Sequence, residues 1–312
     1  VVNAITLQFS SVVGKALECN KPVVALESSV LAQGLPIPAN REAADRMRRA
    51  VEQRGATPAI SAVVRGRPVL GLDTEDLDRF LCRKGIPKVT SRDLGVALAR
   101  GSDGATTVAA TLVLARTAKI EVFATGGIGG VHRITEQMAA KGSQVRDESA
   151  DLVELANTPM VVVCAGAKSI LDLPATWERL ETLGIPVLGF GTDELPGFFT
   201  AESGIKLGVR CDTAEEIARI ARSHWAIGNR QAVLVVCPPP AETALARRDV
   251  EHMVAEAIAE AEARGIEGPA TTPFLLEAVS RLTNGRSLEA NLALLEHNAN
   301  VAAEIACALR AR

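Results

Sequence analysis

Short apolar runs rich in Val and Ile alternate along the chain with stretches whose apolar residues recur at helical spacing. Four to eight apolar residues between turn signals read as a buried strand. Such strands alternating with amphipathic helices predict a helix-covered sheet that is largely parallel or mixed. The pattern places strands near 22–26, 58–64, 120–124, 160–164, 186–190 and 232–237. Helix punctuation is equally clear. Asn40 is placed to cap a stretch that stops at Gly55, and Thr213-Ala214-Glu215-Glu216 is a capping box with Gly228 as its stop. Thr272-Pro273 puts proline at a first helical position. From residue 245 onward the chain reads as almost all helix (245–264, 272–283 and 287–310), a C-terminal layer packed against the sheet. No internal repeat, low-complexity tract or linker interrupts it, so residues 1–312 are expected to form a single domain.

Polar groups gather where strands end. Glu27 follows Val23-Val24-Ala25-Leu26, the cluster Gly126-Gly127-Ile128-Gly129-Gly130 follows Val122-Phe123-Ala124, and Lys168 follows Val161-Val162-Val163-Cys164. In open α/β sheets the ligand crevice lies beyond the carboxyl ends of the strands, so a carboxylate, a glycine cradle and a lysine are expected to share one site. Lys168 is expected at the start of a helix, whose positive end disfavours an ammonium; a neutral lysine is a nucleophile. Glu27, directly after an apolar run, is placed to trade protons. The glycine cluster is not a dinucleotide fingerprint, because His132 stands where the third glycine is required.

Further candidates flank these three. The run from Gly104 to Thr111 reads as a loop entering a helix, with hydroxyls and free N–H groups that suit a phosphate, or with Thr106 as a simple cap. Lys88 supplies a point charge for such an anion or a solvated surface lysine. Asp147 and Asp151, four apart, suit a hard divalent ion or an acidic helix start. Asn291 and Asn298 share one face of the last helix, where buried amides imply a ligand or a structural network.

Charge and composition narrow the partners. A net charge of −3, with no block of Lys or Arg, gives no electrostatic reason to expect nucleic acid. No apolar run reaches membrane-spanning length, and six cysteines without a C-x-x-C pair read as reduced thiols, so a cytoplasmic protein with a small ligand is expected.

Taken together, several segments resemble the pseudouridine-5'-phosphate glycosidase family, also known as indigoidine synthase A-like. They are Pro22 to Ser28, Gly104 to Thr107, Phe123 to Arg133, Ser149-Ala150-Asp151-Leu152, Val163 to Asp172, Thr272 to Leu276, and Ser287-Leu288 with Asn291. The resemblance spans nearly the whole chain in order. It implies a three-layer α/β/α sandwich around a mixed, largely parallel sheet, a homotrimer, a Mn2+-type ion, and reversible chemistry on the C–C bond joining C1' of ribose 5-phosphate to a ring. Carried over by motif, Lys168 would form a Schiff base with C1' of the opened sugar and Glu27 would be the acid/base. Asp151 would hold the metal through its water shell with Asp147 nearby. Lys88, Thr107 and Ser149 would hold the phosphate, and His132 and Asn291 would face the ring acceptor.

The chain departs from the family pattern at Thr90-Ser91, at Asp147-Glu148, at Cys237-Pro238-Pro239-Pro240, at His297, and in the length of the 134–146 connection. These departures, expected around the mouth of the site, favour a C-glycosynthase joining ribose 5-phosphate to an aromatic polyketide-type natural product, as in the alnumycin branch. The alternatives are a housekeeping pseudouridine-5'-phosphate glycosidase acting on uracil and an inactive relative that only binds ribose 5-phosphate.

Overall fold

A computed structural model describes residues 6–133, 147–266 and 271–311, and the side chains of 272 and 273 lie outside that description. The 134–146 connection and the Thr272-Pro273 side chains, both singled out in the sequence, therefore lie outside the described residues. Every predicted strand is present within two residues: β2 (Val23–Leu26), β3 (Thr57–Val64), β7 (Val122–Ala124), β8 (Val161–Cys164), β9 (Val187–Phe190) and β11 (Val233–Val236). Five more were not predicted: β1 (Gln8–Phe9), β4 (Arg67–Leu70), β5 (Lys88–Val89), β6 (Gly104–Thr106) and β10 (Arg210–Cys211). All but β4 are two or three residues long, too short to carry a period.

The strands form one mixed sheet in the order β1-β4-β3-β2-β7-β8-β11-β9-β10, with β6 also pairing β3 and β5 pairing β6. Pairing is parallel except for β3 with β4 and β3 with β6. Parallel strands covered on both faces must be apolar throughout, which is why Val23–Leu26, Val161–Cys164 and Val233–Val236 carry no alternation and are wholly buried.

Helices α2 (Ala39–Gln53), α8 (Ala214–Ala226) and α11 (Arg286–Arg310) pack together over β2, β7 and β8. Helix α5 (Val108–Thr117) lies with α6 (Ala150–Asn157) on the opposite side, giving the α/β/α sandwich. Helices α1 (Ser11–Glu18), α3 (Thr74–Leu81), α4 (Leu94–Ala99) and α7 (Leu173–Thr182) complete the helices ahead of α8. Helices α9 (Arg247–Ala263) and α10 (Thr271–Leu282) pair with each other ahead of α11 and form the C-terminal layer with it.

Two cap assignments change. Helix α2 starts at Ala39 behind Pro38, and Asn40 lies inside it with Nδ2 donating to the carbonyls of Leu31 (3.1 Å) and Leu81 (2.9 Å). Thr106 ends strand β6, where its hydroxyl joins those of Ser28, Ser61 and Thr111 in a buried cluster; Thr107 is the cap of α5. Thr213 caps α8 as expected, its side chain accepting from Glu216 N.

Candidate active site

Strands β2, β7 and β8 are parallel neighbours, so their carboxyl ends, and the residues just beyond them, lie side by side. One cavity opens there, walled by Glu27 after β2, Thr125, Gly126 and Gly127 after β7, and Lys168 after β8. Lys88, Phe198 and Asn291 close it from β5, from a loop and from α11. Four of the eight predicted site residues, Glu27, Lys88, Lys168 and Asn291, therefore line one space.

Glu27 is only 5% exposed, and its carboxylate is held by two hydroxyls, Thr125 Oγ1 donating to Oε1 at 2.5 Å and Ser29 Oγ to Oε2. Both donors come from the residues that follow β2 and β7, so the sheet register itself orients the acid.

Lys168 is not at a helix start. Helix α7 begins five residues later at Leu173, capped by the Asp172 carboxylate. The lysine stands instead on a bridge between two loops: Ile128 pairs with Ala167, and Lys168 N donates to Ile128 O at 3.1 Å. A turn closed by Leu171 N on Lys168 O follows, and the Arg133 guanidinium pins it by donating to the carbonyls of Leu171 (3.1 Å) and Ser169 (3.4 Å). Gly166 makes the approach possible. It sits at φ +86°, and a Cβ there would lie 2.4 Å from the Pro196 carbonyl.

Lys88 lies on a short strand and is exposed as a whole residue, yet it lines the cavity. Burial pushes its pKa below the usual lysine value and the Lys168 charge adds to that, while Asp151 and Glu27 oppose it. These three side chains are therefore within electrostatic reach of Lys88. Thr107 and Ser149 do not line the cavity. They cap α5 and α6, accepting from Ala110 N (3.4 Å) and Asp151 N (3.2 Å).

Asp151 is the largest correction. It is 5% exposed, and both oxygens are engaged by backbone: Ala109 N at the start of α5 donates to Oδ1 (2.9 Å), and Gly129 N in the glycine loop to Oδ2 (2.8 Å). Asp147, its proposed companion, is largely exposed and lies 3.9 Å from His132. Among the described residues no group of three or more His, Cys, Asp or Glu side chains converges to hold a metal ion. The expected Mn2+ site is thus not supported by the donors present. The acidic pair that suggested it is a helix-start carboxylate fastening two backbone segments and a surface residue.

His132 lies beside the cavity rather than in its wall. Its pKa is pushed below the usual histidine value by burial, with Lys168 and Lys88 adding and Asp147 opposing. The two asparagines of α11 separate. Asn298 donates to the carbonyls of Thr125 (2.8 Å) and Gly126 (3.4 Å) and fixes the floor of the site, whereas Asn291 lines the cavity with its Oδ1 buried and unpartnered.

Sequence reasoning missed Ser29, Gln33 and Phe198. Phe198 is held at φ +66°, a conformation that is strained for an aromatic residue, and its ring packs against Gly127, where a Cβ would come within 2.6 Å of it. Only the glycine at 127 hinted at that close approach.

Asp151→Asn turns one backbone acceptor into a donor facing Gly129 or Ala109 N–H. It is expected to lower the unfolding free energy by about 1–3 kcal/mol, read as a lower urea midpoint at unchanged slope. An unchanged midpoint would remove the fastening role. The unfolded chain takes up a proton at His132 near pH 6.5, while the folded chain resists it to lower pH. That residue's share of stability is therefore intact above this value and lost as the pH falls below it. In His132→Gln the urea midpoint should drop less than in wild type on acidification from about pH 7 to about pH 5.5; equal drops would contradict the assignment.

Comparison with known proteins gives the same architecture an ancestry. Residues 12–308 match the family described as Indigoidine synthase A like protein. A pseudouridine-5'-phosphate glycosidase of Gemmatimonas aurantiaca is 58% identical over 96% of this chain and 95% of its own length. Another, from Caldanaerobacter subterraneus subsp. tengcongensis, is 48% identical over 97% and 96%. Among solved structures, the prealnumycin C-glycosynthase AlnA in complex with ribulose 5-phosphate superposes with a TM-score of 0.87 at 40% identity, covering 97% of each chain. An indigoidine synthase A-like protein of Thermotoga maritima superposes with a TM-score of 0.87 at 36% identity, covering 98% of this chain and 97% of that one. No helix among the described residues is long and apolar enough to cross a membrane. With a shared fold and identity of this extent along nearly its whole length, the chain belongs to the indigoidine synthase A-like, or pseudouridine-5'-phosphate glycosidase, family of enzymes.

Proposed function

We propose that this protein is a pseudouridine-5'-phosphate glycosidase, interconverting pseudouridine 5'-phosphate and water with ribose 5-phosphate and uracil. The observation that carries the reading is the meeting of an amine, Lys168, and a hydroxyl-held acid, Glu27, in one cavity.

A C–C glycosidic bond has no leaving oxygen to protonate, so a pair of carboxylates of the ordinary glycosidase kind offers little. A lysine offers an electron sink. In the cleavage direction the Lys168 nitrogen attacks C1', the C1'–O4' bond breaks, and Glu27 passes a proton to O4'. Protonation of uracil at C5 then lets the nitrogen lone pair form an iminium at C1' while the C1'–C5 electron pair returns to the ring and frees uracil. Water adds to the iminium, and its collapse releases ribose 5-phosphate as the aldehyde and restores the amine. Lys88 and the N-termini of α5 and α6, capped by Thr107 and Ser149, supply the positive surroundings suited to the phosphate. Asn291 faces the ring, with His132 beside it.

The sequence leaned instead toward an aromatic acceptor, because its departures from the family pattern were expected at the mouth of the site. Among the described residues none of them lines the cavity. Thr90 donates to Asp93 to cap a short turn, Glu148 pairs with Arg179 at the surface, and Cys237 is wholly buried behind Cys164. The relatives named pseudouridine-5'-phosphate glycosidase are also more alike to this chain, at 58% and 48%, than AlnA at 40%.

Incubation with ribose 5-phosphate and uracil should yield pseudouridine 5'-phosphate, detected by mass and by its retention of the C–C bond under acid. No product with uracil, alongside product with an aromatic acceptor, would restore the other reading. Borohydride added to the protein with ribose 5-phosphate should reduce an iminium at Lys168, seen as a peptide mass shift. Lys168→Ala should lose that adduct and turnover by at least ~1,000-fold with an unchanged urea midpoint; near-normal turnover would dispose of the covalent route.

A further inference from the structure

We infer that Ser29 is a catalytic residue of this site, carrying the proton between Glu27 and O4' of the sugar; the inference deepens the proposed reaction and rests on it. Two hydroxyls reach the Glu27 carboxylate, and both border the cavity, but they are held differently. Thr125 is fixed through its backbone, its N–H donating to Val163 O at 3.0 Å and its carbonyl accepting from Asn298 Nδ2 at 2.8 Å, and only 2% of its surface is open. Its Oγ1 donates to Oε1 and props the acid.

Ser29, at 8% exposure, is the more open of the two. It stands directly ahead of the π-helical turn Val30–Gly34, where a serine side chain ordinarily caps, yet it makes no cap bond and turns to Glu27 Oε2 instead. Turns of this kind are uncommon and concentrate at functional sites. This one is fastened from outside. Asn40 donates to Leu31 O, and the Arg83 guanidinium donates to the carbonyls of Ala32 (2.7 Å), Gln33 (3.1 Å) and Leu35 (3.2 Å). The hydroxyl at its head is therefore presented from a rigid support.

A serine hydroxyl has one proton to give and two lone pairs to receive with, so it can accept from an acid while donating to a substrate. Before transfer, the Glu27 carboxylic acid donates from Oε2 to Ser29 Oγ, and Oγ–H points at O4'. As the C1'–O4' bond breaks, its electron pair stays on O4', which takes the Ser29 proton; Oγ takes the proton from Oε2. Glu27 is left as the carboxylate and Ser29 donates to it, the arrangement in the structure. Ring closure in the synthetic direction runs the same two protons back. Direct transfer would require Glu27 to give up one of the hydroxyl bonds that orient it. Through Ser29 both contacts are kept, and one merely reverses.

The test uses the full chain and single-turnover cleavage of pseudouridine 5'-phosphate, followed by uracil release. Ser29→Ala should slow that step by ~100-fold or more, with the Kd of pseudouridine 5'-phosphate within about twofold of wild type. Ser29→Thr, which keeps a hydroxyl, should recover most of the loss. Thr125→Val, which removes a prop and no relay, should cost no more than ~10-fold. In mixtures of H2O and D2O the wild-type rate should fall along a curve, as two protons moving in one step require, and the Ser29→Ala rate along a straight line. A straight line in wild type overturns the relay without any variant. So do equal losses in folded Ser29→Ala and Thr125→Val, as expected if both hydroxyls only hold the acid. A wild type that cleaves no pseudouridine 5'-phosphate fails at the proposed function instead, and takes this inference with it.

Discussion

A single carboxylate keeps the site in register. Asp151 ties the first turn of α5 to the glycine loop through one backbone N–H on each oxygen, and the rest follows in a chain of short steps. Gly129 sets Ile128, Ile128 bridges Ala167, and Lys168 hangs from the same bridge by its own N–H. A buried charge with two backbone donors is costly to disturb from either side, so the lysine inherits a fixed position from a residue that never touches the cavity. The close fit also explains the glycines. A Cβ at 129 would collide with the Ser149 hydroxyl and with Asp151 itself, and one at 127 with Phe198.

Much of this was legible in the sequence because burial leaves a plain mark. The apolar runs at 23–26, 122–124 and 161–164 could only be strands covered on both faces, and once they are parallel neighbours the residues after them must assemble. Glu27, Gly126, Gly127 and Lys168 came together for that reason. Three kinds of feature were hidden. Short strands such as β5 and β6 have no period, so the entry to α5 read as loop. The helix start expected at Lys168 moved to Leu173, because residues 168–171 spend their hydrogen bonds on a turn rather than on helix. Charge partners were the third. Spacing shows that Asp147 and Asp151 could share a helix face, but not that backbone N–H groups would consume one and leave the other in solvent.

The same limit explains the acceptor. Departures from a family pattern say that a position has changed, not which way it faces. Thr90, Glu148 and Cys237 all turned out to serve caps, surface pairs or the core, while the cavity wall drew on Ser29, Gln33 and Phe198, which no motif had marked. Part of that wall comes from the π-helical turn Val30–Gly34 and from α11, two elements far apart in sequence that the fold brings to one cavity.

A cavity assembled only when β2, β7 and β8 lie side by side carries a consequence for the protein's lifetime. A ligand that binds this cavity, and not the unfolded chain, stabilises the folded chain by mass action. Supply of the small molecules it works on then governs how often the chain opens to proteases, so an idle copy is degraded sooner than a busy one.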